Sequence, residues 1–376
     1  MTVSTTIFSS LIKKGERAPE GLMKAAVFRG VGRLNLEYKP IPKAGPNEVV
    51  IRTTSTTICG TDIHILHGEH PVNEGRVLGH EHVGIVHEVG EGIEGISVGD
   101  RVMCGSCTPC GICYYCQKGL SSQCIGPEGN YKNPGGWRLG NTIDGTHAEY
   151  FKMPFPNYNL TIIPDELTDE EVLLISDIGS TGIAAAEKAN IQIGDTVVVF
   201  ACGPVGLCAI AGARLKGAGL IIGVDSNPIR LKIAKEMGAD IVLNYQTTDV
   251  IDEIYKLTKG RGADVAIEAL GSQQTFENCL KAIRRGGTIS SVGIYSGHLH
   301  IPIETFAAGM GDHHIVTTLC PGGRERMLQL IQLVKNHRLS LTSMITHRFH
   351  IDDILEAYDI FEQQKDGVIK VIINFD

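Results

Sequence analysis

The sequence predicts an α/β protein in two parts, a β-rich first domain followed by a doubly wound parallel sheet. Three observations carry this. Up to about Tyr150, short apolar runs such as "KAAVFRG", "EVVIRTTST" and "VGIVHEVG" are broken by Gly, Pro and Asn turns. From about Thr196, buried-strand runs alternate with helical patterns, which implies right-handed crossovers and a sheet covered on both faces. A length of 376 residues also suits two domains. The expected layout is an N-terminal extension at 1–22, a β-rich catalytic domain at 23–180 and a doubly wound domain at 181–319. Residues 320–376 are expected to return to the first domain.

In chain order, "MTVSTTIFSSLIKKGERAPEGL" lacks a basic start with an apolar stretch behind it, so it does not read as a secretory signal. Glu16 and Glu20 argue against a transit peptide. It is expected to be a polar leader or mobile arm before a first strand at Met23. Further on, "TVVVFA", "LIIGVD", "IVLNY", "DVAIEAL" and "TISSVGIY" read as strands. Helical stretches such as "VGLCAIAGARLKG" and "PIRLKIAKEMGA" lie between them. After Pro321 come helices in "RERMLQLIQLVKNHRL" and "DDILEAYDIFEQQ" and a closing strand, "VIKVIINF". No solenoid-like repeat is visible.

Composition excludes several partners. A net charge of −8 would repel nucleic acid and anionic membrane. No apolar run approaches the ~20 residues that cross a bilayer. Eleven cysteines, an odd number without a secretory signal, argue for reduced thiols, metal binding and a cytoplasmic setting.

The loop Ala201-Cys202-Gly203-Pro204-Val205-Gly206 falls between a strand and a helix, the context of the G-x-G-x-x-G dinucleotide fingerprint. Such a loop lets phosphates sit on free N–H groups at the positive end of the helix dipole. Ala201 stands where the first glycine belongs, so the match is incomplete. Asp225 closes the next strand, where a carboxylate accepts from the ribose hydroxyls and repels a 2′-phosphate. This Rossmann arrangement predicts NAD rather than NADP. Gly203, Pro204, Val205, Gly206, Asp225 and Arg230 are assigned to the cofactor, and Val292 and Gly293 are expected to pass its nicotinamide.

Two clusters point to metal. Cys104, Cys107, Cys110, Cys113, Cys116 and Cys124 crowd one segment and suit a tetrahedral four-thiolate site, most often a closed structural zinc. Six cysteines offer more than one such set. Separately, Cys59, His80 and Asp177, with Glu81 beside His80, supply mixed ligands from three segments. Three protein ligands leave a position open for substrate, the catalytic arrangement.

"GHEHVG" at Gly79–Gly84 and "CGTDIH" at Cys59–His64 resemble the zinc and first-ligand segments of the medium-chain dehydrogenase/reductase superfamily, the zinc-containing alcohol dehydrogenases. "GGWRLGNTIDGTHAEYF", "ISDIGSTG" and "LCPGGRERM" resemble its secondary-alcohol dehydrogenase branch. The resemblance implies a GroES-like catalytic domain beside the Rossmann domain and two zinc ions per chain. The structural zinc would take Cys110, Cys113, Cys116 and Cys124, leaving Cys104 and Cys107 as extras. The catalytic zinc would take Cys59, His80 and Asp177, with Glu81 as alternate ligand.

The resemblance also implies a proton relay from Thr61 to His64, with Asp62 orienting a ligand or His64, and a substrate pocket lined by Trp137. The chain departs from that branch in carrying Asp225 where it has Gly, and in keeping the four-cysteine lobe. The expected activity is reversible, NAD-dependent oxidation of a small or medium, secondary alcohol to the ketone or aldehyde. A polyol or threonine dehydrogenase is the alternative within the scaffold, though the apolar tone around Trp137 argues against polyols. A non-catalytic zinc- and dinucleotide-binding protein is the alternative of another class, and the intact ligand set argues against it. His67, His70, His82, His87, His313 and His314 are given no role. A homotetramer is expected, with "TISSVGIY" and "HHIVTTL" as pairing edges.

Overall fold

The computed structural model describes residues 6–132 and 134–375. Two units divide the chain, Met1–Asp177 with Cys320–Asp376, and Ile178–Leu319. The first opens with β1 (Ile7–Ser10), β2 (Leu22–Phe28) and β3 (Arg33–Pro40), a small sheet in the order β1-β3-β2. Here the chain departs from the expected mobile arm. β1 pairs in parallel with β3, Ile12 is buried in the core, and Gly15 N–H donates to Asp352 at 2.9 Å. The first five residues of that segment lie outside the described residues.

Next come β4 (Glu48–Thr57), β5 (His82–Val89), β6 (Arg101–Met103), β7 (Tyr150–Pro154) and β8 (Thr161–Ile162). β4 is the spine of this unit. Its Val49, Val50 and Ile51 are fully buried, and it pairs with β5 along one edge and with β7 over its first half. Each such aliphatic side chain contributes about 1.5–3 kcal/mol of burial, so the strand end that carries the site is firmly held.

The second unit is a parallel sheet of β9 (Thr196–Phe200), β10 (Leu220–Asp225), β11 (Ile241–Asn244), β12 (Ala263–Glu268), β13 (Ile283–Ser291) and β14 (His314–Thr317). The order is β11-β10-β9-β12-β13-β14, which reverses direction between β9 and β12. Both strands are buried along their whole length, as strands covered on both faces require. β13 lies between β12 and β14 and cannot be a free edge. Among the described residues only β14 and β11 are edges, so the expectation for "TISSVGIY" is corrected.

The return to the first unit adds β15 (Ile345–His350) and β16 (Lys370–Asn374), giving a seven-stranded sheet in the order β15-β16-β4-β5-β6-β8, with β7 on β4. The helix Ile354–Glu362 buries Tyr358 in an apolar cluster with Leu34, Leu36, Ile58 and Leu78. The Tyr358 hydroxyl bonds His147 Nδ1 at 2.8 Å. The His147 ring lies against Gly79, the residue before His80.

Candidate active site

Cys59 stands at the N-terminus of the helix Gly60–Leu66, two residues past the end of β4. Asp62, fully buried, accepts the Cys59 N–H at 2.9 Å and the Gly79 N–H at 3.2 Å. It thereby ties the first ligand segment to the second. Gly79 has φ +91, and a Cβ there would meet His147 Cδ2 at 2.3 Å. Only glycine fits, because His147 is pinned by Tyr358. The bend aims His80 and Glu81 inward just before β5. Asp177 sits on the π-helical turn Ile175–Gly179, an irregularity often found at functional sites.

These segments converge. Asp177 Oδ2 lies 3.5 Å from Cys59 Sγ and 3.5 Å from His80 Nε2. Adding Glu81, one ligand atom from each residue falls within 4.8 Å of all the others. Bonds of about 2.3 Å to sulfur and about 2.0–2.2 Å to nitrogen and oxygen, opened at a tetrahedral angle, separate ligand atoms by about 3.4–3.6 Å. The donor set therefore fits one zinc ion. Ser106 Oγ donates to Asp177 Oδ1 at 2.8 Å, leaving Oδ2 for the metal. Asp62 Oδ1 is 3.7 Å from His80 Nδ1, too long for a hydrogen bond but close enough to favour a proton there and leave Nε2 to ligate.

Glu81 has a partner of its own. Lys370, from β16, donates to Glu81 Oε1 at 2.8 Å and to the Ile58 carbonyl at 3.0 Å, with both charged side chains essentially fully buried. Glu81 Oε2 has no hydrogen-bond partner in the protein. Burial pushes the Glu81 carboxyl up to about 7 against the pull of Lys370. Burial would keep His80 neutral, but Asp62 and Asp177 outweigh it and raise its pKa well above the ordinary value. Asp177 is held low by His80 and Ser106 in spite of its burial. The pocket is thus built for a cation, and a divalent ion replaces the proton that His80 otherwise takes up.

Around this centre, Thr61 Oγ1 is 3.7 Å from Cys59 Sγ. His64 lies one helical turn on, 38% exposed, with Nδ1 2.6 Å from Glu69 Oε2. The Trp137 ring lies 6.4 Å from that of His80. All predicted members of the metal site are therefore together.

The second cluster is Cys110, Cys113, Cys116 and Cys124, buried, with Cys113 Sγ 3.5 Å from Cys116 Sγ and 3.9 Å from Cys124 Sγ. Four thiolates around zinc stand about 3.8 Å apart. Backbone N–H groups of Cys110 and Gly126 each reach Cys124 Sγ at 3.2 Å, as a thiolate requires. Cys104 and Cys107 lie outside this set and are buried elsewhere.

In the second unit the predicted cofactor residues collect at the C-terminal ends of the parallel strands. Ala201 adopts φ +72, so alanine takes the left-handed turn that the fingerprint gives to glycine. A Cβ on Gly206 would lie 1.9 Å from the Ala201 carbonyl oxygen, so the third glycine is required by close approach. Gly203 caps the helix Pro204–Leu215, in whose first turn Val205 stands. Asp225 accepts N–H groups of Cys202 at 2.8 Å, Ser226 at 2.8 Å and Asn227 at 2.9 Å. Arg230 Nη1 is 3.9 Å from the same carboxylate. Val292 and Gly293 follow β13 directly, and both N–H groups donate to the Glu268 carbonyl.

Three residues that support the two sites have no signal in the sequence. Ser106 and Lys370 reach the metal site from distant segments. Glu268 is fully buried and accepts from Leu270 N–H, Gly271 N–H, Thr275 Oγ1 and Tyr295 OH at 2.6–2.9 Å, holding the loops after β12 and β13 together.

Comparison with known proteins agrees with this geometry. Residues 45–165 match the alcohol dehydrogenase GroES-like domain and residues 204–336 the zinc-binding dehydrogenase family. The chain is 54% identical over 360 residues to an alcohol dehydrogenase of Cupriavidus necator, covering 94% of this chain and 98% of that one. It is 36% identical over 355 residues to the NADP-dependent isopropanol dehydrogenase of Clostridium beijerinckii, covering 93% and 99%. Among solved structures it resembles zinc-dependent alcohol dehydrogenase 2 from Streptococcus pneumonia, with TM-score 0.86, 34% identity, and 94% and 99% of the two chains covered.

Proposed function

We propose a function from one premise: the chain belongs to the zinc-type alcohol dehydrogenases of the medium-chain dehydrogenase/reductase superfamily. It is a zinc alcohol dehydrogenase. Our finer reading is a reversible, NAD-dependent oxidation of a small or medium secondary alcohol to its ketone, with one catalytic and one structural zinc per chain. The observation that carries it is the convergence of Cys59 Sγ, His80 Nε2 and Asp177 Oδ2 at ligand spacing.

When bound, zinc would supply Lewis acidity toward an alcohol oxygen, and the dinucleotide would supply the hydride acceptor. The chain's own residues do the rest. Cys59, His80 and Asp177 would hold the ion, and Glu81, whose Oε2 has no hydrogen-bond partner, would serve as an alternate ligand. Thr61 is the hydroxyl placed to take the alcohol proton, and half-exposed His64, paired with Glu69, is the group placed to hand it to solvent. Trp137 walls the substrate side. Asp225 supports NAD over NADP, although the Clostridium beijerinckii relative is named for NADP.

The exposed apolar residues Ile301, Ile303 and Met310, which precede edge strand β14 in the chain, and Ile315 within it support self-association, and we propose a homotetramer. No helix among the described residues is long and apolar enough to cross a membrane. Eleven thiols, five of them set to ligate zinc, suit a reducing compartment, and we assign the cytoplasm. The test is absorbance at the NADH band against a panel of alcohols and ketones with NAD and with NADP, beside metal analysis. Turnover with secondary alcohols and NAD is expected. Metal-replete protein inert toward every alcohol would overturn the reading.

A further inference from the structure

The parallel sheet carries its cofactor residues at the C-terminal ends of its strands, and a separate cavity of about 680 Å³ opens at the other end. Gly260 and Arg261 come before β12, Ile283, Arg284 and Arg285 open β13, and His313 comes just before β14. The volume is that of a small-molecule site. One side is apolar, made by Ile251 and Tyr255 of the helix Val250–Leu257, Leu280 of the helix Gln273–Ala282, and Ile283. Leu280 and Ile283 are buried in the core cluster of this unit, so packing fixes that side.

The other side is basic, on a chain whose net charge is −8. Arg261, Lys281, Arg284 and Arg285 line it, against one lining carboxylate, Glu304. Most of these charges are already paired. Arg261 and Arg284 share Asp264, with Arg284 Nε at 2.6 Å, and Lys281 Nζ lies 3.5 Å from Glu277. Four cations therefore meet three carboxylates, which leaves a single positive charge over. Arg285 is the unengaged group. Its carbonyl accepts from Arg284 Nη1 at 2.9 Å, but its guanidinium has no hydrogen-bond or ion-pair partner among the described residues. His313, which the sequence gives no role, adds an enclosed Nδ1 that also lacks a partner. Burial lowers the His313 pKa in spite of Asp312 beside it, so the ring is neutral with one N–H to give.

A ligand for this cavity must bring an apolar body to one side and one negative charge to the other. A planar carboxylate matches the fork of N–H donors on an arginine. A phosphate monoester, with close to two charges, exceeds the single charge on offer. Tyr255, Leu280 and Lys281 lie in the last turns of their helices, whose negative dipole ends also weigh against a polyanion. We propose that this cavity is a binding site for an organic monocarboxylate with a short aliphatic tail, its carboxylate on Arg285 and the His313 ring and its tail on Ile251, Leu280 and Ile283. The site is separate from the metal centre and does not rest on the dehydrogenase reading.

The test is calorimetric titration of the zinc-loaded full chain with octanoate. Saturable binding is expected, unchanged in the presence of NADH. Acetate should bind about ten-fold more weakly or worse, since the tail supplies most of the buried apolar area. Arg285→Gln should weaken octanoate about ten-fold and Arg285→Glu should abolish its binding, with alcohol turnover unchanged in both. Arg285 is exposed, so neither change disturbs the core. Asp177→Ala, which removes a ligand of the catalytic metal, should bind octanoate as wild type does. Absence of saturable binding to wild type, or an affinity unmoved by both Arg285 changes, would overturn the proposal. Binding lost in Asp177→Ala and kept in Arg285→Glu would also overturn it, by placing the carboxylate on the catalytic metal. Inorganic phosphate binding as tightly as octanoate would overturn it in favour of a phosphate site.

Discussion

Replacing Asp225 should reverse the choice of cofactor. On the NAD reading proposed above, this carboxylate would face ribose hydroxyls in NAD and a 2′-phosphate in NADP. Two unit charges about 5 Å apart at an effective dielectric of about 20 repel by roughly 3 kcal/mol, a factor of about a hundred in affinity. Arg230, 3.9 Å from the carboxylate, offsets part of this, so a wild-type preference for NAD of about ten- to a hundredfold is expected. Asp225→Asn removes the charge and keeps one acceptor oxygen. Asp225→Gly removes the side chain and brings Arg230 to bear on the phosphate. Both also loosen the N–H groups of Cys202, Ser226 and Asn227, so thermal stability falls in each. The ratio of kcat/KM for NAD to that for NADP cancels such losses. It should fall toward unity in Asp225→Asn and invert in Asp225→Gly. A wild type that already prefers NADP, or a ratio unmoved by both changes, would refute the reasoning.

Asp177→Ala should abolish activity and release the catalytic metal while the four-cysteine lobe keeps its own, measured by metal analysis on the folded protein. Cys116→Ser should do the opposite, releasing the lobe metal and lowering the thermal midpoint. Lys370→Met strands the buried Glu81 carboxylate and should cost about 3–5 kcal/mol by denaturant titration. Adding Glu81→Gln should recover part of that loss, since the two side chains act as a pair. Asp264 shows a pH effect. Burial raises its pKa, but bonds from Arg261 and Arg284 outweigh this and lower it to about 2. A depressed carboxyl stabilises the fold above its unfolded pKa near 4 and loses that contribution as pH falls toward 2. Discounted for solvent around the two guanidiniums, the contribution is about 1 kcal/mol, and Asp264→Asn should flatten the acid limb of the stability curve by that amount.

What the sequence disclosed follows the range of the interactions involved. The four-cysteine lobe, the glycine loop and the His80–Glu81 bend are legible because each packs its chemistry into a few consecutive residues. The donors that complete them are not. Lys370 reaches Glu81 across 289 residues, Ser106 reaches Asp177 across 71, and neither sits in a pattern that marks it. A lysine in the closing strand "VIKVIINF" shows no sign of its partner until the register of β16 on β4 brings it beside Glu81. The β1 strand was hidden for a related reason. "IFSS" is too short and too polar to declare itself, and it becomes a strand only because β3 offers a parallel edge. Local motifs therefore named the metal and the dinucleotide. The donors that tune the metal site come from long-range register, which only the folded chain displays.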